Sequence, residues 1–368
     1  MRTIVRILGV GAYGFGLALG ASTGPIKPAA PEIRFPLHVE AKIEYDGEIA
    51  GAPALAGDMV VFATNAGMIY AVDVVQKALA WRVAAEVPLS GLWALGPETI
   101  IALDVDGRLL SVSAGGFLRW TRDLQEMPSG DVGLFEGKVF FVTGDGALSL
   151  IDPNTGANAW GYRLTEALTG AAVLPARGFA LASPSRALTF LHPSGQTAGE
   201  ATLAAPVAGP LYADDGALYV SLDDNTFRRL DARSLAWRWS IKTGRPIAAL
   251  PVADDERIYF VTANNVLYAV KKKNGEMVWW QSIAGRAVFS PALSGGQIFM
   301  AARSSRMTAY NKETGQASGS FDAGGVLQAS PVCAGPYILV HTFDPASSKS
   351  TCLILAGETP KDTAPKKK

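Results

Sequence analysis

The chain has 368 residues, 33 of them Lys or Arg and 33 Asp or Glu, so its formal net charge is zero. That balance excludes a general attraction to nucleic acid or to an anionic membrane surface. Apolar residues make up 49% and charged residues 18%, with 39 glycines, a mix that suits a large β protein with many turns.

Residues 1–22 read as a secretory leader. Arg2 and Arg6 make a basic start, residues 7–19 form an apolar run, and Ala18-Leu19-Gly20-Ala21 offers small residues for cleavage. The run is shorter than the roughly 20 apolar residues that a membrane span needs. A cleaved signal peptide and a periplasmic or otherwise exported protein are expected; an uncleaved N-terminal anchor is the alternative. No Cys follows the apolar run, so no direct lipid anchor is expected. Two catalytic-looking strings fall here, Gly9-Val10-Gly11-Ala12-Tyr13-Gly14 and Gly20-Ala21-Ser22-Thr23-Gly24. Neither follows a strand and opens a helix, which their chemistry requires, and both read as chance products of a Gly-rich run. Residues 23–37 contain Pro25, Pro28, Pro31 and Pro36 and read as a Pro-rich linker.

From residue 38 to residue 356 one unit recurs. Its clearest copy is an apolar run ending at Asp152, a turn through Pro153-Asn154-Thr155-Gly156, and then Trp160. Pro, Asn and Gly each favour a tight turn, by fixed φ, self-bonding and positive φ respectively. Equivalent register positions are Asp73, Ser113, Asp152, His192, Asp231, Lys271 and Asn311, spaced by 39 or 40 residues. Tryptophans follow at Trp81, Trp120, Trp160, Trp239 and Trp279; in the fourth and seventh copies Glu200 and Gly319 stand at that place. Each copy also carries short strand-like runs such as Val139-Phe140-Phe141-Val142, followed by turn signals such as Asp145-Gly146. Four strands per 40 residues without helical periodicity predict a blade of a β-propeller. Pro210, Pro251, Pro291 and Pro331 are expected to open innermost strands, where a missing N–H is tolerated. Seven copies are complete. The eighth lacks an outermost strand, which residues 42–45 are expected to supply, so the predicted fold is all-β, an eight-bladed propeller closed by its N-terminal strand.

Little in the ring reads as chemistry. His38, His192 and His341 have no metal-ligand spacing, and Asp104-Val105-Asp106-Gly107 reads as a hairpin turn, not a calcium loop. Cys333 and Cys352 are assigned to the first and third strands of the last blade. An intervening strand would hold them about 9–10 Å apart, too far for a bridge, so two thiols are expected. Trp237 and Trp280 lie off the repeat register and are candidates for exposure. Lys242, Arg245 and Arg286 lie in or beside blade-linking loops near one mouth of the channel and are the candidate partner-binding residues, because paired guanidinium groups hold carboxylates at two points. Residues 357–368 read as a disordered basic tail.

The Asp152-to-Trp160 string resembles the docking motif of the quinoprotein-type (PQQ-like) repeat family, A-x-D-x-x-T-G-x-x-x-W. Ala269-Val270-Lys271 with Asn274-Gly275 and Trp279 is a second copy, and Ala71-Val72-Asp73 with Trp81 keeps its ends. The resemblance implies that the tryptophans pack between neighbouring blades. Within that family the chain looks most like the BamB-like propeller group of outer-membrane assembly. This implies a WD40-like, non-catalytic scaffold for protein–protein interaction in the envelope, monomeric and without cofactor or metal. A ligand- or polysaccharide-binding propeller is the alternative. A PQQ-dependent dehydrogenase is less favoured, since the near-uniform repeats leave little room for the insertions of those enzymes.

Overall fold

The computed structural model describes residues 33–358, apart from 125, 126, 129–131, 175, 176 and 215. The expected leader, the linker up to residue 32 and nearly all of the tail lie outside the described residues. The rest is all-β: eight antiparallel sheets arranged as the blades of a closed ring. Blade 1 shows the plan, with Ile49–Ala56 innermost, then Met59–Thr64, Met68–Asp73 and, outermost, Ala78–Ala84. Blades 2 to 7 follow over residues 89–123, 133–163, 170–202, 212–242, 252–282 and 292–322. Blade 8 combines residues 326–357 with the first strand, Leu37–Tyr45, which pairs antiparallel with the last, Lys349–Gly357. The eighth blade is therefore closed by the N-terminal strand.

The run Val60-Val61-Phe62-Ala63 is apolar throughout because both faces of a middle strand are covered. Val60 and Phe62 face blade 8, while Val61 and Ala63 face blade 2. The outermost strands show the opposite logic: Ala78–Ala84 alternates half-buried with exposed positions. Among the described residues the buried apolar side chains form eight clusters, one at each junction between adjacent blades.

Each junction is keyed by the repeat motif. The register aspartates cap the turn: Asp152 Oδ1 accepts the N–H groups of Asn154 at 2.9 Å and Thr155 at 3.1 Å. Asp73 and Asp231 do the same in their copies. Lys138 and these amides hold the Asp152 carboxyl down to about 2. The turn then presents a glycine to the preceding blade's indole. Trp81 lies on Gly116, Trp120 on Gly156, Trp160 on Gly195, Trp239 on Gly275 and Trp279 on Gly315. These glycines have φ between +70° and +83°. Four of the five indole N–H groups donate to a carbonyl of the same turn, as Trp120 does to Pro153 O at 2.9 Å.

Three junctions have no indole, and each is filled differently. In blade 4 the tryptophan place is Gly199, opposite Phe190, not Glu200. The preceding turn is one residue shorter, with Gly195 N donating to His192 O, where Gly156 N donates to Asp152 O. Leu235, in the turn of blade 5 at φ 54°, takes the space over Gly199. At Gly319 of blade 7 the filler is Phe35, which also stacks on Phe299 at 6.3 Å. Ile33 and Phe35 thus pack into the ring although the sequence places them in a linker. At the junction of blades 8 and 1 the place holds Ala41, opposite Ile354. Lys77 stands in the blade 1 turn at φ 54°, over the Tyr337 ring at 5.0 Å.

Cys333 and Cys352 are free thiols on the innermost and third strands of blade 8, with Tyr337–Asp344 between them. Burial pushes both up to about 12. His341 lies on the intervening strand, fully buried, with its ring 4.5 Å from that of Phe62 and 5.7 Å from that of Tyr45. Neither ring nitrogen has a hydrogen-bond partner within the described residues, and burial pushes the imidazole down to about 3.

Two expectations follow. Gly156→Ala forces a side chain to φ 71° and sets its Cβ 2.8 Å from Trp120. It should destabilise by roughly 2–5 kcal/mol, adding left-handed strain to overpacking. Gly137→Ala has a similar φ of 75° with nothing within 4 Å and should lose only about 1–2 kcal/mol; denaturant midpoints of the two variants measure the difference. His341 is neutral when folded, whereas the unfolded chain takes up its proton below pH 6.5. Stability should therefore fall between about pH 6.5 and pH 3 by up to ~1.4 kcal/mol per pH unit from this group. His341→Phe should flatten that slope in urea melts across the window.

Candidate functional site

Every loop from an outermost strand to the next blade opens on the same mouth of the ring as the turn between second and third strands. A repeated backbone bond fixes this, for example from Ala85 N to Gly67 O at 2.7 Å, Thr243 N to Asn225 O at 2.8 Å and Ile283 N to Asn265 O at 2.8 Å. Past each loop the chain enters the channel wall. In blades 5, 6 and 8 the innermost strand is paired in two pieces, and Pro210, Pro251 and Pro331 stand in the gaps. A residue without an N–H cannot continue a ladder, so the break falls there. The freed backbone lines the channel.

Between blades 6, 7, 8 and 1 these breaks enclose a cavity of about 490 Å³, walled by short side chains such as Ala248, Ala329, Ser290 and Ser330. Its frame is held across blades. Ile49 N donates to Gln328 Oε1 at 2.8 Å, Gln328 Nε2 donates to Ser350 Oγ at 3.2 Å, and Ser290 N donates to Ser330 Oγ at 2.9 Å.

Two arginines border this cavity. Arg286 sits in the loop into blade 7, and Arg303 in the turn between the second and third strands of that blade. Arg303 N donates to Arg286 O at 3.1 Å, so the two residues are neighbours although 17 positions apart. Both side chains are exposed, and neither forms an ion pair with any described residue. Among the described residues no carboxylate lines the cavity. Arg286 also borders an adjoining cavity of about 260 Å³ beside Pro210 and Ile247, which shares Ala248 and Val288 with the first.

Arg245 occupies the equivalent loop into blade 6, and Lys242 ends the strand Trp237–Lys242 before it; both are exposed on the same mouth but line neither cavity. Sequence reasoning thus found Arg286 and missed Arg303, which lies in a hairpin turn rather than a linking loop. Away from the arginines, loops that link the blades carry acids. Exposed Glu48, Glu86 and Glu166 stand in the loops into blades 1, 2 and 4. Near the basic side Asp224 accepts from Thr226 and Arg228, and Asp322 accepts from Gly324 N, while Asp223 is exposed in the blade 5 turn.

Trp237 and Trp280 are 36% and 54% exposed, on the outermost strands of blades 5 and 6 and so on the rim, away from the channel. Among the described residues no three His, Cys, Asp or Glu side chains converge on a point that could hold a metal ion. A calcium-dependent quinone centre needs such a set, and the residues at the mouth do not fit one.

The family described as Outer membrane protein assembly factor BamB matches residues 38–134, 105–251 and 235–342, most of the chain. Among solved structures, BamB from Moraxella catarrhalis is similar at 17% identity and a TM-score of 0.68, covering 87% of this chain and 98% of that one. The C-terminal WD40 domain of Sif2 is similar at 12% identity and a TM-score of 0.71, covering 89% of this chain and 100% of that one. The computationally designed Ika8 protein is similar at 12% identity and a TM-score of 0.69, covering 84% of this chain and 97% of that one. At these identities the structural likeness is one of fold. No curated protein matches the sequence.

Gln328→Ala would leave Ile49 N without its partner at the cavity frame. The loss should be about 1–3 kcal/mol, the desolvation penalty of one unpaired group. Limited proteolysis should then cut sooner in residues 46–49, which lead from the closing strand into blade 1.

Proposed function

The chain belongs to the family of the outer membrane protein assembly factor BamB, and on that premise we propose that it is an exported, non-catalytic scaffold that holds protein partners during outer-membrane protein assembly. The observation that carries this reading is the mouth of the ring: exposed, unpaired Arg286 and Arg303 beside Arg245 and Lys242, mounted on loops that the blades hold rigidly. A fixed basic surface suits recognition of a partner, because complementary charge speeds encounter and sets orientation. Lys242, Arg245, Arg286 and Arg303 are the proposed partner-binding residues. The family's function does not extend to this chain by fold alone, since sites, not folds, carry function.

The monomeric ring works without cofactor or metal in this proposal, and its leader directs it to the periplasm. Among the described residues the exposed aromatics lie away from the arginines, Trp237 and Trp280 at the rim and Phe117 on the opposite mouth, which favours the protein-partner reading over the carbohydrate one for this mouth.

The test is site-specific photocrosslinking in the native envelope, with the photoreactive residue at position 245 and, as a control on the opposite mouth, at the exposed Phe117. Adducts at position 245 should contain outer-membrane assembly proteins, identified by mass spectrometry, in excess over position 117. Equal labelling at both positions would remove the scaffold reading. Dye-linked oxidation of alcohols or sugars after adding the quinone and Ca²⁺ would remove the non-catalytic part.

A further inference from the structure

We propose that the cavity bordered by Arg286 and Arg303 is a clamp for the carboxylates of an acidic, extended segment of a partner protein. The inference rests on the scaffold reading and names the chemistry that this mouth recognises. Three observations converge on it.

The first is the pairing of the two arginines. Their backbones are bonded to each other, so both guanidinium groups start from one rigid point on blade 7. A guanidinium presents its donors as a planar fork that matches a carboxylate at two points, and two forks side by side match two successive acids. Neither fork is used by an acid of this chain among the described residues.

The second is the shape beside them. The two cavities share Ala248, Arg286 and Val288, so they form one trough running along the channel wall from blade 5 to blade 1. Small walls such as Gly51, Gly209 and Ala329 let a peptide backbone approach closely. A trough of this length suits an extended segment rather than a single small acid, and its volume falls within the range of roughly 300–1,000 Å³ usual for binding pockets.

The third is the sign of the charge around the mouth. Glu86 and Glu166 stand on the loops into blades 2 and 4, across the ring from blade 7 and exposed like the arginines, while Glu48 precedes Ile49 at the blade 1 end of the trough. An acidic segment is drawn to the Arg286 side and repelled from the other, so the ring fixes where the segment lies as well as whether it binds.

The experiment is calorimetric titration of the full chain with an end-capped hexapeptide alternating Asp and Ala, and with the same peptide carrying Asn for Asp. At low salt the Asp peptide should bind about tenfold tighter or more, and 0.5 M NaCl should erase the difference. Arg286→Ala with Arg303→Ala should abolish the preference while thermal unfolding stays as in the wild type. Arg286→Lys with Arg303→Lys should recover only a part of it, because the charge returns without the fork. Glu86→Gln with Glu166→Gln should leave the preference in place. Equal affinity for the two peptides, or a preference that survives the double alanine variant, overturns the clamp. Citrate binding as tightly as the Asp peptide with the same arginine dependence overturns the peptide assignment in favour of a small-acid site. Loss of discrimination with position-245 crosslinks intact overturns the clamp alone. Discrimination without any crosslinked protein upholds carboxylate recognition and overturns the scaffold reading.

Discussion

An indole lying flat on a glycine is the contact from which the ring is assembled. It occurs at five junctions, and at each the glycine is held at positive φ by a turn that the register residue closes. The ring needs that glycine twice over, once for its backbone angle and once because a Cβ would enter the indole. The three junctions without a tryptophan show the same constraint from the other side. Where Gly199 leaves space, Leu235 replaces glycine in the next turn at φ 54° and fills it, and in the turn that follows Ala41, Lys77 stands at the same φ over Tyr337. Where Gly319 leaves space, Phe35 fills it from outside the repeat. At Gly199 and Gly319 the missing ring is replaced in volume by a residue from elsewhere, as close packing of a core demands.

This explains what could be read from the amino acids and what could not. The period, the blade count and the closure by the N-terminal strand were legible because the strands are buried on both faces and the tryptophans recur in step. The place of the missing indole in blade 4 was misjudged by one residue, at Glu200 instead of Gly199, because a turn shortened by one residue shifts the count without altering the period. Phe35 gave no signal at all: it serves blade 7 from beyond the repeat, in a stretch whose prolines suggest an open linker. Arg286 was visible as a loop charge of the right spacing. Its partner Arg303 was not, because their proximity depends on a backbone bond between two loops of one blade, and no periodic pattern encodes that.

The blades and the mouth divide the work. Strand positions are fixed by packing against two neighbours, so they have little freedom to carry chemistry. Loops and broken inner strands have fewer such obligations, and there the repeats cease to resemble one another: acidic into blades 1, 2 and 4, basic into blades 6 and 7. Prolines in the inner strands create this freedom locally by interrupting the ladder at Pro210, Pro251 and Pro331, just past the pairs Val207–Leu222, Ile247–Thr262 and Leu327–Thr342 beside the mouth. The second, third and outermost strands of these blades keep their ladders, so the ring acquires one sector unlike the rest without opening a blade.

The pairing of Leu37–Tyr45 with Lys349–Gly357 has a consequence for how the molecule comes into being. Synthesis delivers the first of these segments before any other strand and the second after all of them. Until the last strand arrives, the earliest strand waits without its mate, and Tyr45 and Phe62 lack Cys352 and Ile354, with which they form one core cluster. The half-made protein is an open arc with two bare edges, the form most prone to pair with another chain. Its vulnerable period therefore lasts as long as the making of the ring, and ends when these two strands meet.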